Sequence, residues 1–197
     1  MLILRRLIAV AMLATGMGVH AADARICLVV GVSDGDTITA RCGRPGGYER
    51  IRVRLAAIDA PERDQPFGAR AKQALSGIVF GKPARLECNE TDRYGRSVCS
   101  VWVTPASAPN GPRTLDAGLA MVTIGMAWWY RAYSREQTPE ARGQYEFAEF
   151  EAKVKRVGLW RHSDPVAPWE WRASRRADAA APEGSHDRSE AMERYRQ

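Results

Sequence analysis

Apolar and polar positions alternate with a period of two through much of the first half of the chain. The stretches "ICLVVGV" (26–32) and "TITARC" (37–42) read as short strands, and the Asp/Gly-rich "SDGD" between them reads as their turn. From about Arg50 to Ile58, Ile51, Val53 and Leu55 alternate with Arg50, Arg52 and Arg54, predicting a third strand with one apolar face and one arginine face. "ARLECNE" and "SVCSVWV" predict a second strand pair around the turn "TDRYGR".

The period then changes. Ala74, Leu75, Ile78 and Val79 form a helical stripe within a helix expected from Ala69 to Phe80. After the loop "PASAPNGPR", "LDAGLAMVTIG" reads as a short helix stopped by Gly125. A longer helix is expected to start with Thr138 as N-cap and Pro139 at its first position. Its apolar stripe is expected at Phe147, Phe150, Val154 and Val157, with Glu140, Glu146 and Glu149 early, Lys153, Lys155 and Arg156 late, and Gly158 closing it. Short strands followed by packed helices predict an α+β domain, mainly β with helices. The expected form is a five-stranded barrel of the OB type with about three packed helices.

The ends read differently. Residues 1–22 have a basic start (Arg5, Arg6), an apolar run from Leu7 to Val19 and small residues at Ala21 and Ala22, the pattern of a cleaved signal peptide. Residues 23–172 form the expected globular domain. From Ala173 to Gln197 apolar content is low, and a disordered tail is expected. The 45% hydrophobic content supplies a core for one domain.

Four cysteines follow the leader, and export with an even count favours disulfides. Three pairings are possible. Cys27–Cys42 and Cys88–Cys99 are preferred because each pair flanks a predicted hairpin, with buried free thiols as the alternative. The formal net charge is +6, and nearly all basic residues are arginine, whose flat fork matches phosphate. An anionic partner is implied, nucleic acid or a charged envelope surface.

Three segments carry chemistry. "SDGDT" presents Asp34 and Asp36, "VRLAAIDAPE" presents Arg54, Asp59 and Glu62, and "DRYGR" presents Arg93, Tyr94 and Arg96. Each alone reads as an ordinary turn or strand end. Together and in order, each at the end of a predicted strand, they fall where a barrel gathers its loops.

That ordered trio, Asp34–Thr37, Arg54–Glu62 and Asp92–Arg96, resembles the thermonuclease (staphylococcal nuclease) family, with similarity over about residues 25 to 162 including "GLW" at Gly158–Trp160. The resemblance implies that Asp36, Asp59 and the backbone carbonyl of Ala60 hold Ca²⁺. It implies that Glu62 is the general base, and that Arg54 and Arg96 grip the scissile phosphate. Arg93 and Tyr94 match residues touching a neighbouring phosphate. Cleavage of DNA and RNA with little sequence preference, leaving 3′-phosphates, would follow. The stretch after Glu62 looks shorter than the loop of the founding member, and "MAWWYRAY" (126–133) is more aromatic, so that Tyr130 or Trp129 either stacks on a base or packs the core.

The chemistry stands on its own terms as well. Carboxylate and carbonyl oxygens suit a hard cation, two guanidiniums suit the charge that develops on phosphorus, and a further carboxylate suits the proton of the attacking water. His20, His162 and His186 lie outside these segments, which speaks against a histidine-metal nuclease, and no Cys/His spacing fits a zinc site well. The expected protein is an exported monomer, periplasmic or secreted, without stable membrane association after leader cleavage. A non-catalytic nucleic-acid-binding module of the same fold is the alternative reading.

Overall fold

The computed structural model describes residues 24–180; the expected leader and residues 181–197 of the expected tail lie outside the described residues. Strands β1 (Ala24–Val32), β2 (Thr37–Cys42) and β3 (Glu49–Leu55) form an antiparallel meander. The third strand ends earlier than expected. Ala57 adopts a left-handed conformation (φ 63°), which breaks the run, and the chain resumes as the two-residue β4 (Ile58–Asp59). Helix α1 (Gly68–Val79) leads to β5 (Pro83–Thr91), which pairs antiparallel with β1, and to β6 (Ser97–Val103), antiparallel to β5.

β6 also runs parallel to β3, with Val53 opposite Ser97 and Leu55 opposite Cys99. That pairing closes the sheet into a five-stranded barrel in the order β3-β2-β1-β5-β6, as the alternation predicts. Alternate side chains point inward: Ile38 and Ala40, Val53 and Leu55, Ala84 and Leu86, Val101 and Val103 are all buried. Each large aliphatic side chain buried this way stabilises by about 1.5–3 kcal/mol. Disulfides join Cys27 to Cys42 and Cys88 to Cys99, the preferred pairing, each across neighbouring strands.

Beyond β6 the described residues add two short strands and three α-helices. β7 (Leu115–Asp116) extends the sheet beside β6 and passes into α2 (Ala117–Thr123), which Asp116 caps by accepting from the Gly118 and Leu119 amides. β8 (Trp128–Trp129) pairs with β4. Helix α3 (Pro139–Val154) begins where expected, with Thr138 Oγ1 accepting from the Ala141 amide.

The buried face of α3 is not the expected one. Phe147, Phe150 and Val154 are 61%, 61% and 65% exposed, whereas Tyr145, Ala148, Glu149 and Ala152 are buried. Close packing against α2 explains the choice. A Cβ on Gly118 would stand 2.6 Å from Tyr145 Oη, so glycine there makes room for the Tyr145 ring, whose hydroxyl donates to Asp116 Oδ2 at 2.8 Å and fixes which face docks. The expected tail also needs correction: α4 (Pro168–Ala180) continues eight residues past the boundary at 172. Trp169 and Arg172 anchor its start, and the alanine-rich run behind them propagates the helix. The described residues hold four α-helices, and none of them is long and apolar enough to cross a membrane.

Candidate active site

The turn before β2 sets the first carboxylates. Asp34 Oδ1 accepts from the Asp36 amide at 3.2 Å, folding the loop on itself, and Thr37 Oγ1 donates to Asp36 Oδ1 at 2.9 Å. Gly35 has no room for a side chain, because a Cβ would lie 2.6 Å from both Ala60 Cβ and Ala71 Cβ. Glycine is what lets this loop lie against the Ala60 segment. The Ala60 amide donates to Asp36 Oδ2 at 3.3 Å, and the Leu55 amide donates to the Asp36 carbonyl at 2.8 Å.

The left-handed turn at Ala57 folds the chain back so that Arg54 meets Ile58 and Asp59. Arg54 Nη1 pairs with Asp36 Oδ2, while Nη2 donates to the Ile58 carbonyl at 3.1 Å and to Asp59 Oδ1 at 3.3 Å. Asp59 is only 1% exposed, held by the β4–β8 pairing and the Tyr130 amide, which donates to the Ala57 carbonyl. Beneath β8, the Trp129 amide donates to the buried Glu149, itself paired with Arg131 and Lys153.

Glu62 stands just beyond, its amide donating to Gln65 Oε1 while Gln65 Nε2 donates to the Val166 carbonyl at 2.7 Å. In the β5–β6 turn, Asp92 Oδ1 accepts from the Tyr94 and Arg96 amides, and Arg96 Nε donates to Asp92 Oδ2 at 2.8 Å. Arg96 Nη1 reaches Thr37 Oγ1 at 3.2 Å, joining this turn to the Asp36 loop. Tyr94 is exposed, with the Arg93 and Arg96 guanidiniums 4.9 and 5.4 Å from its ring centroid.

All three expected segments therefore line one groove of about 800 Å³, along with Tyr130, Tyr133 and Arg172. Every predicted site residue is in it: Arg54, Glu62, Arg96, Asp36, Asp59, Ala60, Arg93, Tyr94 and Tyr130. The aromatic segment divides its work. Trp128 and Trp129 are buried, while Tyr130 faces the groove with its ring 5.3 Å from Tyr133 and 5.5 Å from Trp169.

The charges are interlocked. Burial pushes the Asp36 carboxyl up, but the Arg54 guanidinium outweighs it and holds Asp36 below the usual range. Burial pushes Asp59 up, and hydrogen bonds from Arg172 with the charge of Arg54 offset this only in part. Asp34, partly buried beside Asp36, is raised to about 6. Burial works against the charged form of Arg54, yet the neighbouring carboxylates raise its pKa and keep it cationic.

Asp36 and Asp59 are two buried carboxylates linked through one guanidinium, and the Ala60 backbone touches Asp36. The oxygens of two such carboxylates fit a hard divalent cation. Among the described residues, no group of three or more His, Cys, Asp or Glu side chains is arranged to hold a metal.

Arg172 was missed by sequence reasoning. Its Nη1 lies 2.6 Å from Glu62 Oε1 and its Nη2 2.7 Å from Asp59 Oδ2. The signal was present in "PWEWR", where Trp169 and Arg172 are spaced to share one helix face. Glu149, expected only as one of the early acids of α3, is buried and supports β8 by accepting from the Trp129 amide.

Acids and guanidiniums gathered in one groove of a small closed barrel are the equipment of an enzyme that cuts phosphodiesters. The chain matches the family model of staphylococcal nuclease homologues over residues 52–162. It is 42% identical over 145 residues to micrococcal nuclease of Shigella flexneri, covering 73% of this chain and 78% of that protein. It is 44% identical over 144 residues to protein ParB of Escherichia coli (73% and 77% covered). To an uncharacterized endonuclease of Haemophilus influenzae it is 37% identical over 154 residues (78% and 76%). The chain belongs to the staphylococcal nuclease family and is a nuclease.

Proposed function

We propose that the protein is an exported, Ca²⁺-dependent nuclease that hydrolyses phosphodiester bonds of DNA and RNA with little sequence preference. The observation that supports this reading is the meeting of Asp36, Asp59 and Glu62 with Arg54 and Arg96 in a single groove. Asp36, Asp59 and the Ala60 carbonyl would hold the cation, which when bound neutralises phosphate charge and polarises water.

The remaining chemistry belongs to this chain's own side chains. Glu62, on the rim of the groove, takes the proton of the attacking water. Arg54 and Arg96 supply fixed positive charge where negative charge grows on the phosphate, and the carboxylates that hold them keep both forks oriented before substrate arrives. Arg93 and Tyr94 contact a neighbouring phosphate, and the Tyr130 ring offers a base a stacking face. The two disulfides suit an oxidising compartment and support export.

Degradation of a labelled single-stranded DNA with Ca²⁺ and with chelator tests the reading. Cleavage confined to the Ca²⁺ reaction is expected; equal cleavage in both would remove the metal mechanism.

A further inference from the structure

The acids of this site already have a cationic partner that no family motif assigns. Arg172 sits on α4, beyond the stretch matched by the family model, and reaches back 113 residues to Asp59 and 110 to Glu62. Its two terminal nitrogens take both oxygens of Asp59, Nη1 to Oδ1 at 3.2 Å and Nη2 to Oδ2 at 2.7 Å, and Nη1 also takes Glu62 Oε1 at 2.6 Å.

The surroundings make this a built contact. Trp169, one helical turn before Arg172, packs edge-on against Trp128 at 6.5 Å and lies 5.5 Å from the Tyr130 ring. Arg175, one turn after it, lies 3.8 Å from Asp64. The Arg172 side chain is 36% exposed while Asp59 is 1% exposed, so the guanidinium covers the carboxylate from the groove side. A carboxylate buried as deeply as Asp59 requires a compensating charge, and Arg54 reaches it only at 3.3 Å.

A divalent cation on Asp36 and Asp59 would bring the same compensation to the same oxygens. Two cationic groups on one small carboxylate repel, so the stronger the hold of Arg172, the weaker the cation binds. We propose that Arg172 is a further residue of the active site, whose guanidinium competes with the divalent cation for Asp59, holds Glu62 until displaced, and thereby sets the cation affinity of the site. The inference rests on the proposed cation role of Asp36 and Asp59. It makes Arg172 a positioning residue: Glu62 Oε1 becomes free for the water when the guanidinium leaves it.

Calcium chloride alone, titrated calorimetrically into the full chain without nucleic acid, tests this. Arg172→Gln is expected to bind Ca²⁺ about tenfold tighter than the parent, since one charge-assisted pair no longer has to be displaced. In chelator its melting temperature falls below the parent's, and its gain on adding Ca²⁺ exceeds the parent's gain. Arg172→Lys, which keeps the charge and loses the fork, is expected to fall between the two and serves if the glutamine variant does not fold. Equal or weaker Ca²⁺ binding by the variants overturns the proposal, as does Ca²⁺ binding by none of the three proteins. Parent turnover on single-stranded DNA is measured in parallel. Ca²⁺-dependent turnover with unchanged affinity in the variants removes the competition and leaves the nuclease mechanism standing, whereas absence of both Ca²⁺ binding and Ca²⁺-dependent turnover removes both.

Discussion

Arg54 and Asp59 lie five residues apart and meet across a left-handed turn, Nη2 of the arginine 3.3 Å from Oδ1 of the aspartate. In an unbroken strand they would point to opposite faces, because their separation is odd. The turn at Ala57 converts sequence neighbours into a pair that shares one groove, and the other arm of the same guanidinium engages Asp36.

This relationship predicts that Arg54→Lys lowers kcat far more than the loss of one surface charge would. A lysine keeps the charge but cannot span Asp36 and Asp59 while facing phosphate. A decrease of about 10²–10³ in kcat is expected. The same change at Arg96, which is oriented by Asp92 and Thr37, should act in the same direction. Steady-state kinetics on a short oligonucleotide reads both.

Gly35→Ala should damage the site without touching any charged group. The added methyl would lie 2.6 Å from two alanine Cβ atoms, so the Asp34–Asp36 loop must move away from Ala60. Overpacking of this kind costs roughly 1–3 kcal/mol. Denaturant unfolding should show that loss, and cation affinity should fall with it because Asp36 shifts relative to Asp59.

How much of this was legible in the sequence depends on what each residue answers to. Strand alternation exposed the barrel because Ile38, Val53, Leu86 and Val101 face one closed interior. The ordered motifs singled out Asp36, Asp59, Glu62 and Arg96 because each lies at or beside a strand end, in a segment with its own local signature. Helical periodicity alone misassigned α3, since Phe147 and Phe150 make a more apolar stripe than Ala148 and Ala152, and the docking of Tyr145 over Gly118 onto Asp116 is a tertiary contact that periodicity does not carry. Arg172 was hidden for a related reason. Its partners lie more than a hundred residues away, and the spacing of Trp169 and Arg172 marks a shared helix face without showing what that face meets.

A pH signature is expected from Asp34. Its carboxyl is raised from the ordinary 3.8 to about 6 by burial and by Asp36, so between those values the folded chain holds a proton that the unfolded chain has released. Its contribution to stability therefore falls as pH rises through that window. Asp34→Asn keeps an oxygen for the Asp36 amide and removes the titration. Urea midpoints of variant and parent should be similar below about pH 4, then separate in the variant's favour up to about pH 6 and stay apart. A separation independent of pH would refute the assignment.

Reduction should be costly as well. The disulfides close loops with sequence separations of 15 and 11, and each should contribute about 3 kcal/mol through the unfolded chain. Loss of Cys88–Cys99 loosens the strand pair that presents Arg93, Tyr94 and Arg96. Cys88→Ser/Cys99→Ser should therefore raise KM and lower the melting temperature by roughly 6–12 °C.

The most direct test of the catalytic account compares binding and turnover of a labelled oligonucleotide, in Ca²⁺, by the parent and by Glu62→Gln. Both proteins are expected to bind it with similar affinity, and turnover by the variant is expected to drop by about 10²–10⁴. Turnover by Glu62→Gln at the parent rate would contradict the role assigned to this carboxylate and, with it, the proposed mechanism.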